Sequence, residues 1–493
     1  MTFRTSNLLR AGVALCLFSI FFLSTSAEAQ APSQSTPPAT NVPMTLTLSD
    51  AIARAMAENY TVQTTANDAR RNDIEVTRSR DNAWLPTAGA SGSWGYSYSL
   101  EPASSRTLSV LQTTQVFVPT SNGDSILVNG VAPNAPVIQV ISPAGAHKLA
   151  WNATAAYNIF HGGSDVSQIS AAEANFGASQ HAAFWTRQAT AFTVTQDYLD
   201  ILRNNELVVS ADSTLAEAQA QLTLVQGQYN AGVVPIGQVY TQKAVVEQDS
   251  LALIQANVNY QNAKATLLFA LNVAPNQYMN YVFSTVGIDT STVGRAAVDT
   301  TITDAQLNAV IDRRPDILAQ EQTIDAYLFK IDVTRGSLLP SLDASAGISG
   351  AGTNTDLTKV QMNNGLSVGL TLSVPIFDAM QTRLLMQEEQ VDVENQRVTL
   401  QQDVQGIRND ATQAINNLKA SDQALSATDA ALAAADESLR LASERLRVGA
   451  GTEVDVIIAE AAVETARVNR VNAKYNWVLA QKQLAYTLGQ WNF

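Results

Sequence analysis

The chain is written twice. Asn158-Ile159-Phe160 is echoed by Pro375-Ile376-Phe377, Gln228-Tyr229-Asn230-Ala231-Gly232 by Arg445-Leu446-Arg447-Val448-Gly449, and Leu271 by Leu488, all at a spacing of 217 residues. An earlier pair, Asn82-Ala83-Trp84-Leu85-Pro86 and Gly336-Ser337-Leu338-Leu339-Pro340, is spaced by 254, so the first copy carries 37 extra residues between Pro86 and Phe160. That stretch, about Glu101 to Ala146, is rich in Pro, Ser, Thr, Asn and Gly, and reads as a long exposed loop hanging off an edge of the fold. Each copy reads helix, strand, loop, strand, long helix, turn, helix.

The strands alternate with period 2. Leu366, Val368, Leu370, Leu372, Val374 and Ile376 are separated by Ser367, Gly369, Thr371, Ser373 and Pro375. Leu342, Ala344, Ala346 and Ile348 precede them in the same rhythm. In the first copy Ala88, Ala90, Trp94, Tyr96, Tyr98 and Leu100 share one face, and Leu149, Trp151, Ala153, Ala155, Tyr157 and Ile159 repeat the pattern. One dry face and one small polar face suits a transmembrane barrel, with Trp94, Tyr96, Tyr98, Trp151 and Tyr157 as interfacial aromatics. A soluble sandwich packing its apolar faces together has the same alternation.

The helices separate the two readings. From Leu400 a heptad runs unbroken through Val404, Ile407, Ala411, Ala414, Leu418, Ser421, Leu425, Thr428, Leu432, Ala435, Leu439, Ala442 and Leu446. A sustained 3.5-residue period imposes a left-handed supercoil, and its many alanines let helices approach closely. Val208, Ala211, Leu215, Ala218, Leu222, Val225 and Tyr229 keep the same rhythm in the first copy. Residues 380–447 form one helical segment of 68 residues, at ~1.5 Å per residue roughly 100 Å long. A globular domain needs no helix that long, whereas a structure crossing the space between two membranes does. Gly449 and Gly451 end it, and Thr452 restarts a helix running back to about Leu488.

The N-terminus carries Arg4 and Arg10, a 13-residue apolar run from Ala11 to Leu23, and Ala27-Glu28-Ala29. That three-part pattern is a cleaved secretory signal. The one cysteine, Cys16, lies inside the apolar run, not at its end, so lipidation there is rejected and the mature chain has no thiol chemistry or disulfide. Net charge is −14, which argues against nucleic acid as a partner. No run of 18 apolar residues follows the leader, so entry into a membrane requires a closed barrel. Four strands leave two open edges, so copies of the chain must close it.

The duplicated order, with Leu46-Thr47-Leu48-Ser49-Asp50-Ala51-Ile52 at the start, Arg313-Arg314-Pro315-Asp316-Ile317 opening the second copy, two Leu-Pro strand entries and the turns Ala231-Gly232-Val233 and Val448-Gly449-Ala450, resembles the TolC family of outer membrane efflux channels over nearly all of the mature chain. That resemblance implies an α+β, mainly α, homotrimer: a 12-stranded barrel in outer membrane lipid, four strands per chain, continuous with a periplasmic α-helical coiled-coil tunnel. It implies a passive exit duct served by a periplasmic adaptor protein and an inner-membrane pump, with no cofactor. It places adaptor contacts at Ala231, Gly232, Val233, Val448, Gly449 and Ala450, though the glycines also serve as helix caps. Asp455 resembles the family's aspartate gate, an acidic constriction, while Thr452-Glu453-Val454-Asp455 also has capping-box spacing. The corresponding place in the first copy is Gln238, and the family's gating tyrosine and arginine positions are Leu446 and Gly451 here.

The organisation expected is a signal peptide over 1–29, a linker over 30–43, a first repeat over 44–272, a linker over 273–302 and a second repeat over 303–493. Within the repeats, strands are expected at about 86–100, 147–160, 340–350 and 365–377. Helices are expected at about 163–229 and 236–271, and at 380–447 and 453–488. Small-molecule efflux is the leading function; a protein-secretion duct and a pore-less periplasmic coiled-coil scaffold are the alternatives. No nucleotide loop, metal-ligand cluster or catalytic triad is found, and His147, His161 and His181 lack zinc spacing. Trp491-Asn492-Phe493 resembles a barrel-assembly signal.

Overall fold

The structure is a computed structural model that describes residues 44–98, 104–109, 113–119, 125–131, 136–141, 145–284 and 304–489. The leader and first linker, Leu100, residues 285–303 and the terminal Trp491-Asn492-Phe493 lie outside the described residues. Residues up to Met44 form a unit separate from Thr45–Phe493, and the second unit carries the fold.

In chain order, β1 (Met44–Leu46), α1 (Leu48–Glu58) and α2 (Tyr60–Trp84) lead into β2 (Thr87–Tyr98). Next come β3 (Ser104–Ser109), β4 (Thr113–Pro119), β5 (Ser125–Val131), β6 (Pro136–Ile141) and β7 (Gly145–His161). The helices α3 (Ser164–Asn230) and α4 (Ile236–Ala270) complete the first copy. After β8 (Tyr281–Phe283), the second copy runs α5 (Asp304–Ile311), α6 (Pro315–Gly336), β9 (Ser341–Asn354), β10 (Asn363–Ser373), α7 (Gln381–Arg447) and α8 (Glu453–Thr487). The long helices α3 and α7 are 67 residues each, and α4 and α8 are 35 each. Equal lengths in both copies keep the two hairpin turns at matching levels.

The stretch expected to be a loop is not one. Within Glu101–Ala146, β3 pairs with β6 and β4 with β5. Tyr98 opposes Gly145, Ser104 opposes Ile141 and Thr113 opposes Val131. Two antiparallel pairs are thus nested in sequence between β2 and β7. Their sequences do not alternate strictly, as Val116-Phe117-Val118 and Ile126-Leu127-Val128 show, and the surrounding Pro and Gly content reads as loop.

The main sheet has the order β10-β9-β7-β2, antiparallel throughout, and joins the copies at β7–β9. The register holds the dry face in phase. Leu366, Ile348, Ala153 and Ala90 form one row, and Val368, Ala346, Ala155 and Ala88 another. Between them lies a row of Ser367, Gly347, Thr154 and Gly89 on the opposite face.

The core sits midway along the helices, where α1, α3, α4, α7 and α8 meet around Tyr198, Leu267, Leu268, Leu418 and Trp477. Trp477 is 1% exposed and its Nε1 donates to Asp422 Oδ1 at 3.1 Å. The α7 heptad faces this core. Ile407, Ala411, Ala414, Leu418 and Leu425 are buried, and the later seam residues from Thr428 to Leu446 are half-buried.

Both copies end their helix pairs alike. The N-cap Asn59 of α2 donates Nδ2 to Ala270 O at 2.8 Å, and the N-cap Arg314 of α6 donates Nη1 to Thr487 O at 2.7 Å. Ala270 and Thr487 stand 217 apart. Each bond satisfies a last-turn carbonyl that the helix leaves without a partner. Arg314 is buried, pairs with Asp316 at 2.8 Å and lies over the Trp185 ring at 4.5 Å.

Left-handed residues also recur at the 217 spacing: Gly162 with Ala379, Gly163 with Met380, Gly232 with Gly449, and Asn272 with Gly489. At the strand-to-helix corner the second copy therefore holds Ala379 (φ 53°) and Met380 (φ 66°) where the first has glycine. A side chain in this region costs roughly 1 kcal/mol or more per residue. Met380→Gly should raise unfolding free energy by about 0.5–1 kcal/mol, and Gly163→Ala, which meets open space, should lower it by about 1 kcal/mol. Urea midpoints of the purified protein would check both signs.

Candidate functional site

Two regions carry candidate chemistry, the sheet and the helix-hairpin turns. On the sheet, Leu366, Val368, Leu370 and Leu372 are exposed in sequence on β10, with Trp94, Tyr96 and Tyr98 exposed on β2 and Trp151 on β7. The four aromatics cluster at the end of the sheet away from the helices, where Tyr96 opposes His147 and Trp94 opposes Leu149. The His147 ring lies 4.8 Å from Tyr96 and stacks 6.1 Å from Trp94. Tyr157 is half-buried near the helix end. Strands β2 and β10 are edge strands. They run in opposite directions, so a second copy adds to either edge as another antiparallel neighbour.

At the sheet–helix corner, His161 Nδ1 lies 3.7 Å from Asp165 and Nε2 lies 3.5 Å from Asp343, while Asn158 Nδ2 donates to Asp165 at 2.8 Å. This links β7, β9 and the first turn of α3. Sequence reading found no zinc spacing around His161 and could not supply its partner from the other copy.

The hairpin turns are built identically. Gly232 and Gly449 both have φ 76°. Val233 N donates to Gln228 O at 2.9 Å and Ala450 N to Arg445 O at 2.8 Å. Gly232 N reaches Tyr229 O and Gly449 N reaches Leu446 O. These are Schellman motifs, which need the left-handed residue that glycine supplies. The capping role of the glycines is thus realised, and it leaves Ala231, Val233, Val448 and Ala450 outside helix packing, with Val233 72% and Val448 66% exposed.

Beyond the turns the copies differ. Thr452 and Asp455 form a capping box: Asp455 N donates to Thr452 Oγ1 at 3.3 Å, and Thr452 N donates back to Asp455 Oδ2 at 2.9 Å. The backbone N–H of Thr452, then its hydroxyl, and the nearby Arg445 hold the Asp455 carboxyl below the usual carboxylate range. Asp455 is exposed in the single chain. Gln238, its counterpart on α4, has an enclosed Oε1 without a hydrogen-bond partner. The first-copy helix starts at Pro235 with no side-chain cap. Leu446 is half-buried, and a Cβ on Gly451 would lie 3.0 Å from Arg445 Cβ. Leu446, Gly451 and Asp455 therefore share one hairpin, and Gln238 sits on the other.

The chain is internally duplicated, with an edge-open sheet and two 67-residue helices. The sequence profile of outer membrane efflux proteins matches residues 64–273 and 307–490, and the chain belongs to that family. It is an outer membrane efflux channel with a large periplasmic portion. It is 23% identical to the outer membrane protein TolC of Vibrio cholerae over 321 residues, 63% of this chain and 69% of that one. It is 37% identical to the fusaric acid resistance protein FusA of Burkholderia cepacia over 76 residues, 15% of this chain and 14% of FusA. Among solved structures, the Campylobacter jejuni CmeC outer membrane channel superposes with a TM-score of 0.67 at 17% identity, covering 90% of this chain and 85% of that one. The family match favours an efflux channel, and the secretion-duct and pore-less scaffold readings are not favoured.

The capping box sets one expectation. Thr452→Ala removes one half of it and should cost about 1 kcal/mol of stability. Because the Asp455 pKa is depressed, its contribution is present above the usual carboxylate pKa and is lost as pH falls through the folded value. Denaturation midpoints of wild type and Thr452→Ala should differ most at pH 7, and the difference should narrow as pH falls below the usual carboxylate range.

Proposed function

We propose that three copies of this chain close a 12-stranded barrel in the outer membrane and one shared helical tunnel in the periplasm, forming a passive exit duct for small molecules. The observation that carries this reading is a four-stranded sheet, apolar on one exposed face and unpaired at both edges, that runs directly into 67-residue helices. Unpaired edges are not tolerated in lipid, so closure by copies is obligatory. The energy comes from an inner-membrane pump, and a periplasmic adaptor docks on the turns 231–233 and 448–450, where Val233 and Val448 offer exposed apolar contacts. The protein itself carries out no catalysis.

At the closed end Asp455 supplies one carboxylate per chain, and three of them surround the axis as a cation-attracting ring. This is compatible with its capping role, which engages Oδ2. The aromatics Trp94, Tyr96, Tyr98 and Trp151 mark the outer lipid boundary and Tyr157 the inner one.

Two measurements test this. In planar bilayers, the purified protein should give discrete conductance steps, and Asp455→Ala should lower cation over anion selectivity. Selectivity unchanged by the substitution would confine Asp455 to capping. Leu370→Lys, on the exposed face of β10, should cost about 2–4 kcal/mol of barrel stability, read as loss of assembled protein from the outer membrane fraction.

A further inference from the structure

The seams of α4 and α8 differ at two places. Gln242, Asp249, Ala256 and Ala263 stand 217 residues before Ala459, Ala466, Ala473 and Ala480. Where the second copy has only alanine, the first puts polar groups at the two positions nearest the hairpin turn. Both are buried, Gln242 completely and Asp249 to 7% exposure. Gln242 Oε1 has no hydrogen-bond partner. Among the described residues, no hydrogen bond or ion pair reaches the Asp249 carboxyl.

Asp249 lines a cavity of ≈ 100 Å³ between the helices. Facing it are Glu217 from α3, Glu460, Glu464 and Arg467 from α8, and apolar Leu439 from α7. Arg467 is engaged with Glu217 at 3.4 Å. Glu453, buried one level nearer the turn, accepts from Gln221 Nε2 at 3.2 Å. Four carboxyl groups thus line one cavity with a single guanidinium, and neighbouring like charges disfavour ionisation of the buried ones. Among the described residues, no group of acids and histidines is arranged to hold a metal ion. Protonation of the buried carboxyls relieves the excess without a coordination shell. Burial, then Glu464, pushes the Asp249 carboxyl up; burial, then Glu453, Glu217 and Asp249, pushes Glu460 up.

We propose that Asp249 and the carboxylates facing it form a proton-binding clamp between α3, α4 and α8, which fastens the hairpin end of α4 when pH falls and loosens it when pH rises. The direction follows from linkage. A carboxyl with a raised folded pKa holds a proton that the unfolded chain releases, so stability increases as pH drops from neutral toward the ordinary carboxylate pKa of about 4. The clamp acts on the helix whose start has no side-chain cap, whereas α8 begins in a capping box.

The test compares melting temperatures of the full-length protein in detergent at pH 7.5 and pH 5.0, for wild type, Asp249→Ala and Asp249→Asn. Alanine is the second copy's own residue at this seam position, so packing is retained. Wild type should melt higher at pH 5.0. Both variants should gain roughly 2 °C or more at pH 7.5 and lose at least half of the wild-type difference between the two pH values. A lower melting temperature for Asp249→Ala at pH 7.5, or an unchanged pH difference in both variants, would overturn the clamp and leave Asp249 as a register-setting polar residue. If neither variant folds, Glu460→Gln takes their place: a reduced pH difference supports the clamp and an unchanged one overturns it. The readout needs neither conduction nor partners, so its failure leaves the proposed channel function standing.

Discussion

Everything in this chain answers to the unpaired backbone at the edges of its sheet. Strands β2 and β10 each present a row of donors and acceptors with no partner inside the chain. Lipid offers no hydrogen bonds to such a row. The antiparallel order within the sheet lets one chain's β2 meet the next chain's β10 without reversing direction. The in-phase register then extends the same dry face around the ring. The helices inherit the symmetry, because β7 and β10 lead through like corners into α3 and α7.

The periplasmic portion is held by different physics. Alanine at many of the seam positions brings backbones close but buries little area per residue, so stability is spread thinly along the long helices. The dense packing is gathered midway, at Tyr198, Leu418 and Trp477, with Asn59 and Arg314 tying the first helix of each copy to its last. Below that belt the helix pairs are held by the seam and a few polar contacts such as Arg467–Glu217, and there a polar pair such as Gln242 and Asp249 has the most leverage.

The sheet strands and the α7 heptad were legible because each is a local period, and the duplication because its motifs recur at one spacing. The buried set Ile407, Ala411, Ala414, Leu418 and Leu425 coincides with the seam read from the sequence. The capping box at Thr452 and Asp455 was legible for the same reason, since its partners are three residues apart. The pairs β3–β6 and β4–β5 were not, because their apolar residues come in runs such as Val116-Phe117-Val118 and not in alternation. Arg314 could be matched to a motif, but not to Thr487 and Trp185, which only the tertiary fold brings to it. Asp249 escaped notice because its meaning lies in contrast with Ala466, which appears only once α4 and α8 are laid side by side.

The duplication within one chain has a genetic consequence. In a ring of identical subunits carrying one copy each, any substitution would strike every wall element at once. Here a substitution strikes alternate elements, and the other copy is left unchanged. Ala379 and Met380 can strain a corner that Gly162 and Gly163 leave relaxed, and Gln242 and Asp249 can depart from a seam that alanine preserves next door. Half of the wall is free to acquire new chemistry while the other half conserves the geometry.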